Sequence, residues 1–286
     1  MRIRPTVVLA FACAIMLSLA GTAAAASSSA PVRPTAGFLT KAVKSKLKAN
    51  GADGVHVAAE ELNTECPGVQ GPGVSAAGCV VAPAGCTANF IFAGGGNQYV
   101  GTARHCVDRI GQDVTMQLDT TTIGVVGTVS HMTPGDGVPG NDWALVRIDP
   151  AVAAQWGVSP AVPVIGGPQG IYTGCDATGV KHYGHGYGVA VAQGKPELGV
   201  ATNLYDDGYG WTGFGAPGDS GSPVLTTGNQ AIGDFTHLIV DLGAYPGSDL
   251  AGMRITAAMQ RFGVSLVNAD GSLTGAAGTS CGAAPN

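Results

Sequence analysis

From residue 66 onward the chain is written in short apolar runs separated by glycine, a rhythm that predicts strands rather than long helices. Val114, Met116 and Leu118 alternate with Thr115 and Gln117, which gives one inward and one outward face at the two-residue period of a strand. The same reading places strands at 90–92, 98–103, 114–118, 123–129, 143–148, 162–165, 198–204, 222–225 and 231–240. Two stretches read as helices instead. Leu39, Val43 and Leu47 recur every four residues among Lys41, Lys44, Lys46 and Lys48 over 38–50, and Ile255, Met259 and Phe262 share a face within 249–262. A Gly/Ala/Ser tail follows the second, and there is no internal repeat.

Many short strands at this spacing argue for barrels or a sandwich, and 46 glycines with few Lys and Glu point the same way, so the fold class is all-β. The N-terminal part has a different character. Thr6 to Thr40 carries no charge except Arg33, with an apolar stretch at 7–20 and small residues at 23–26. This reads as a signal peptide over 1–26, its apolar core shorter than the roughly 20 residues of a membrane span. A Ser/Pro/Ala-rich linker at 27–37 leads into the lysine-rich helix, so 27–65 is either a pro-segment or a solvated N-terminal extension, and 66–286 is the functional domain. No later segment reads as a membrane anchor, and about 260 residues remain for one large β domain or two small ones.

A net charge of -5 with 12% charged residues leaves no basic surface to neutralise phosphates, so neither nucleic acid nor anionic membrane is an expected partner. Of seven cysteines, Cys13 lies in the leader. The other six, Cys66, Cys79, Cys86, Cys106, Cys175 and Cys281, form up to three disulfides in an oxidising compartment.

Three segments carry the chemistry: Thr102-Ala103-Arg104-His105-Cys106, Asn141-Asp142-Trp143-Ala144-Leu145-Val146 and Gly218-Asp219-Ser220-Gly221-Ser222-Pro223. Alone, each has a bland reading, since Gly-Asp-Ser-Gly is simply a good turn, Asp142 a strand-end carboxylate and His105 a half-buried histidine. In this order they resemble the marks of chymotrypsin-like serine proteases of the bacterial type: T-A-x-H-C, then D-x-A-L, then G-D-S-G-x-P. The resemblance implies two packed antiparallel Greek-key β-barrels with the active site between them and a short C-terminal helix. It implies His105 as general base, Asp142 as its orienting carboxylate and Ser220 as nucleophile, cleaving a polypeptide substrate with no cofactor. A serine hydroxyl attacks only when an adjacent base takes its proton, which is why these residue types occur together.

The resemblance also assigns the oxyanion hole to the backbone N–H groups of Gly218 and Ser220, and a disulfide to Cys86 and Cys106, which flank the strand delivering His105. The remaining four cysteines permit three pairings, of which Cys66–Cys79 with Cys175–Cys281 is favoured. The substrate pocket falls to Phe214, six residues before the nucleophile, and to Thr236, His237 and Leu238 where the family has a Ser-Trp-Gly-like run. Phe214 in place of an aspartate argues against cleavage after Arg or Lys, and Leu238 narrows the pocket wall. Asp219 needs a buried cation, for which Lys181 and His182 are the candidates. His182 and His185 are spaced like a metal pair but have no carboxylate in their motif, so no metal is expected.

Two rivals are weaker. An α/β esterase wants G-x-S-x-G, a histidine after the serine and more helices; here Ser222 replaces the second glycine, and His237 in the late role leaves His105 unexplained. A protease-like binding module, without turnover, has no need of all three triad residues.

Overall fold

The computed structural model describes residues 74–75, 80–82, 86–117, 123–162, 165–184, 197–215, 218–238, 245 and 247–284, and strands carry most of them. The expected leader, the 27–65 extension with its helix, and Cys66 and Cys79 lie outside the described residues. In chain order the strands are β1 (Val74–Ser75), β2 (Val80–Ala82), β3 (Cys86–Thr87), β4 (Ile91–Gly94), β5 (Asn97–Thr102), β6 (Asp113–Gln117), β7 (Ile123–Met132) and β8 (Ala144–Ile148). Helix α1 (Pro150–Trp156) precedes β9 (Val158–Ser159), β10 (Thr178–His182), β11 (Glu197–Leu204), β12 (Gly208–Thr212), β13 (Pro223–Thr226), β14 (Ala231–Asp234), β15 (His237–Leu238) and β16 (Leu250–Met253). Helix α2 (Ile255–Phe262), β17 (Ser265–Val267) and β18 (Leu273–Thr274) complete the order.

The all-β expectation holds. One antiparallel sheet runs β18-β17-β4-β5-β8-β7-β6-β2-β3 and the other β14-β13-β10-β11-β12-β16-β15, with β1 and β9 as a separate parallel pair. Each sheet has its own apolar cluster, built on Ile91, Val100, Met116 and Val146 in the first and on Val180, Tyr209, Trp211 and Val224 in the second. A further cluster takes Phe92 and Leu145 from the first sheet, Leu225 and Met253 from the second, and Ile255 and Met259 from α2, so the two sheets share a seam. Strand β8 shows why its first three residues are all apolar. Ala144, Val146 and Ile148 face the first cluster while Leu145 faces the seam, and only Arg147, at the far end of that second face, reaches solvent.

The strands differ from expectation where pairing partners intervene. Residues 249–262 are not one helix: Leu250–Met253 is wholly buried and hydrogen-bonds to strands on both sides, and the helix begins only at Ile255. Its end at Gly263, in the left-handed region, is the ordinary glycine stop. The expected strand at 162–165 is a turn at its ends, since the Gly166 N–H donates to the Val162 carbonyl at 3.0 Å. The 231–240 run breaks at Phe235 and Thr236 between β14 and β15, and 239–240 lie outside the described residues. Strands β10, β12 and β17 and helix α1 lacked an apolar pattern strong enough to read. For α1 the capping signal was nonetheless there: Asp149 accepts from the Ala151 N–H at 2.7 Å, with Pro150 opening the helix and Gly157 closing it.

Among the described residues two disulfides are formed, Cys86–Cys106 and Cys175–Cys281. No helix among the described residues is long and apolar enough to cross a membrane. The Cys175–Cys281 bond closes 106 residues of chain, for which the unfolded-state entropy model gives about 4.7 kcal/mol. Cys175→Ala with Cys281→Ala should therefore lower Tm by roughly 10 °C or more in calorimetry; a loss of under about 2 °C would show that the bond contributes little.

Candidate active site

Strand register is what brings the first two candidate residues together. β5 and β8 pair antiparallel with Thr102 opposite Ala144, so the chain leaving β5 and the chain entering β8 lie side by side. His105 follows the first and Asp142 precedes the second. Beyond β5 the backbone tightens into a 3-10 turn, Arg104–Cys106, and the Cys86–Cys106 bond fastens its far end to β3. Asp142 is buried; its Oδ1 accepts the His105 backbone N–H at 2.9 Å and its Oδ2 lies 2.6 Å from His105 Nδ1. With Nδ1 donating to a carboxylate, Nε2 of the half-exposed ring is left to accept a proton.

Burial alone would raise the proton affinity of Asp142, but the hydrogen bond from the His105 ring, the charge of that ring and the His105 backbone N–H together hold the carboxyl below the usual carboxylate range. That contribution to stability is present above about pH 4 and is lost as pH falls through the depressed folded value. Thr133 frames the loop around Asp142: its Oγ1 donates to the Asn141 carbonyl at 2.7 Å and accepts from the Trp143 N–H at 3.0 Å. Arg104 ties the histidine turn to the same residue, Nε donating to the Thr133 carbonyl at 3.1 Å. Neither Arg104 nor Thr133 carries a sequence signal for this role, because each acts through backbone carbonyls on a distant segment.

Ser220 lies in a turn just before β13, between Gly218 at φ +105° and Gly221 at φ +91°, conformations that favour glycine. Thr87 at the end of β3 anchors the turn, its N–H donating to the Ser220 carbonyl and its Oγ1 to the Gly218 carbonyl, both at 2.8 Å. The Gly221 N–H donates to the Phe235 carbonyl at 2.6 Å. Gly221 is pressed so closely on the strand that delivers His105 that a Cβ there would overlap the Thr87 carbonyl, Thr102 Oγ1 and the Ala103 nitrogen. The Ser220 carbonyl is also 3.7 Å from Cys106 Sγ. The Ser220 backbone thus touches the residue next to His105. Among the described residues no hydrogen bond joins the Ser220 side chain to His105, and the backbone N–H groups of Gly218 and Ser220 have no acceptor.

A cavity of about 320 Å³ beside His105 is lined by Arg104, Gly135, Gly137, Asp142, Thr236 and His237. Thr236 is buried, with Oγ1 donating to the Ala251 carbonyl at 3.2 Å and lying 2.7 Å from His237 Nδ1. It is His237 that approaches Asp142, Nδ1 to Oδ2 at 3.9 Å, with its ring edge-on to His105. Burial, aided by the charge of His105, lowers the proton affinity of His237 more than Asp142 restores it. Phe214 and Leu238 do not line this cavity, and about half of each is exposed.

Of the two cations considered for Asp219, Lys181 is committed elsewhere, donating to the Ile165 carbonyl at 2.9 Å and to Asn229 Oδ1 at 2.5 Å. His182 lies beside Asp219, and Glu197, which the sequence did not single out, joins them: one ligand atom from each falls within 4.8 Å of the others. His182 Nε2 contacts Glu197 Oε2 at 2.7 Å and the Phe214 carbonyl at 2.9 Å, the pattern of an N–H donor rather than of a metal-ligating nitrogen. In the other close group, Cys86, His105 and Cys106, the two sulfurs are bonded to each other. His185 lies outside the described residues.

No protein-family model matches the chain, and no curated protein matches it. Among solved structures it is similar to bacterial chymotrypsin-like serine proteases. Thermobifida fusca protease A is 25% identical over 64% of this chain and 91% of its own, with a TM-score of 0.46. Cellulomonas bogoriensis chymotrypsin is 21% identical over 68% and 97%, with a TM-score of 0.47. A glutamic acid specific serine protease is 21% identical over 66% and 98%, with a TM-score of 0.47.

The crowding at Gly221 has a direct test. Gly221→Ala should destabilise by at least about 1 to 3 kcal/mol in urea unfolding, whereas Gly228→Ala, in a surface turn with only Thr226 Oγ1 at 3.7 Å, should stay within about 0.5 kcal/mol of the parent. Equal effects would contradict the packing described.

Proposed function

We propose that the chain is a secreted serine endopeptidase that forms an acyl-enzyme on Ser220. The observation that carries this reading is the double hydrogen bond from His105 to Asp142, at 2.6 and 2.9 Å, with the Ser220 turn fastened to the strand end beside it. In the proposed reaction His105 Nε2 takes the Ser220 Oγ proton as that oxygen attacks the peptide carbonyl. The N–H groups of Gly218 and Ser220 receive the negative charge on the carbonyl oxygen, a contribution worth about 3 to 4 kcal/mol per donor in such sites. The imidazolium then protonates the departing amine, and water repeats the sequence to release the acid. Asp142 holds the Nδ1–H tautomer throughout.

Among the described residues the Gly218 and Ser220 N–H groups have no acceptor, which suits this role, since donors already paired would have to break a bond before serving an oxyanion. The open Ser220 to His105 contact is ordinary for a site without substrate, where catalytic hydrogen bonds are often long. Thr236 and His237 form the proposed substrate-facing wall of the cavity, while Phe214 and Leu238, expected there, lie outside its lining. The leader-like N-terminus and the two disulfides support export to an oxidising compartment.

Incubation of the purified protein with a serine-directed phosphonate, followed by peptide mapping, tests the assignment. Label is expected on Ser220, absent in Ser220→Ala and slowed by several orders of magnitude in His105→Ala, with parallel losses of peptidase activity on a peptide library. Persistent label in Ser220→Ala would overturn the nucleophile, and an unlabelled parent would favour a protease-like binding module.

A further inference from the structure

Arg104 stands immediately before His105 and supplies the permanent cation of the cavity beside that ring. Its partly buried guanidinium is fixed by two carbonyls, Nε donating to Thr133 at 3.1 Å and Nη1 to Val107 at 2.8 Å, which leaves Nη2 and one Nη1 N–H unused. Among the described residues no carboxylate pairs with it. The acids of the loop before β8 are committed elsewhere. Both oxygens of Asp142 take His105 donors, and Asp136 accepts from the Val138 N–H at 3.2 Å and from the Asn141 side chain. Two glycines at positive φ make the room, Gly135 at +71° and Gly137 at +79°. A Cβ on Gly135 would overlap Arg104 Cγ, so only glycine lets the arginine lie along this loop, while a Cβ on Gly137 would meet nothing within 4 Å. From the other sheet come Thr236 and His237, the latter with its proton affinity lowered by burial.

We propose that Arg104 is a specificity-determining residue, taking into this cavity the carboxylate of an Asp or Glu side chain of the polypeptide substrate. This rests on the serine-endopeptidase reading of Ser220. The acidic residue flanks the one whose carbonyl is attacked. That carbonyl must lie at Ser220 and the Gly218 N–H, neither of which lines the cavity, and Phe214, expected at the base of the primary pocket, lies outside it as well. An ammonium side chain would meet the guanidinium as a like charge, and an apolar one would leave its free N–H groups without acceptors. Because two carbonyls already orient the fork, little side-chain freedom is lost when a carboxylate binds. The charge balance of the reaction favours the same substrate. Arg104 and Asp142 offset each other while both rings are neutral; once His105 has taken the Ser220 proton the lining is net positive, and an acidic side chain held there offsets the imidazolium.

The test uses acetylated, amidated peptides in which Glu is placed at each position around the cleaved bond and compared with Gln, which has the same shape without the charge. One flanking position should favour Glu at least about tenfold in kcat/KM, the scale of a charge-assisted hydrogen bond. The ratio should fall to about one in Arg104→Gln and to an intermediate value in Arg104→Lys, which keeps the charge but not the fork. A general loss of rate from a disturbed histidine turn cancels in this ratio. A second measurement needs only folded parent and Arg104→Lys: in nitrogen NMR, the arginine Nε–H signal that is lost in Arg104→Lys should shift when the parent is labelled by a peptidyl phosphonate carrying Glu at that position, and not with the Gln counterpart. Equal cleavage of Glu and Gln peptides at every flanking position, an unchanged ratio in Arg104→Gln, or an Nε–H signal indifferent to the charge overturns the role. So does an acid preference confined to the cleaved residue itself, or one that appears only when the peptides keep a free C-terminal carboxylate. No label and no cleavage of any peptide overturns the hydrolase reading and this role with it, whereas labelling of Ser220 without an acid preference overturns this role alone.

Discussion

A carboxylate taken out of water stays ionised only if donors replace the water, and at Asp142 both donors come from a single residue. The backbone N–H and the ring Nδ1 of His105 occupy the two carboxylate oxygens. Loss of either would cost not only one bond but the desolvation of the oxygen left behind. The pairing therefore works in two directions: Asp142 is kept charged in a buried loop, and the imidazole loses its freedom of rotation and tautomer. Almost every nearby constraint serves this one contact. The β5–β8 register brings the two segments alongside, Cys86–Cys106 holds the turn after β5, and Arg104 and Thr133 close the loop before β8.

Three aspartates are buried along this seam, and their surroundings differ. Asp142 is held ionised by two donors and an adjacent imidazole. Asp219 faces the His182 ring with Glu197 behind it. Asp234 has one donor, the Met253 N–H at 3.1 Å on Oδ1, while Oδ2 has no partner among the described residues. Burial and the nearby charge of Asp142 push its carboxyl well above the usual range. A low-dielectric seam favours the ionised form of a carboxyl group only where donors or opposite charge surround it, and the surroundings of Asp142 and Asp234 push their proton affinities in opposite directions.

The seam also brings segments of both sheets to one corner. His105 and Asp142 belong to loops of the nine-stranded sheet, and the Ser220 turn belongs to the seven-stranded sheet. Thr87 and Gly221 are the points where they are pinned: two hydrogen bonds from one residue, and a contact that admits no side chain. A relative shift of the sheets would break these first. The same corner carries the cavity beside His105 and His237, whose wall the two sheets jointly form.

The sequence alone was enough to indicate an all-β chain, because two-residue alternation and glycine punctuation are local properties of strands. It also set out the three motifs, the Cys86–Cys106 and Cys175–Cys281 pairings as favoured expectations, and the helical face of Ile255 and Met259. What it left undecided depends on partners far away along the chain. Leu250–Met253 reads as part of a helix until strands on both flanks claim its backbone, and β10 and β12, rich in glycine and polar residues, become strands only through their neighbours. Lys181 and His182 were equal candidates beside Asp219 because adjacent strand residues point to opposite faces, and only the packed sheet determines which face looks inward. Glu197 was invisible for the same reason: its place opposite His182 is a register, and register is a property of two strands meeting, not of either one.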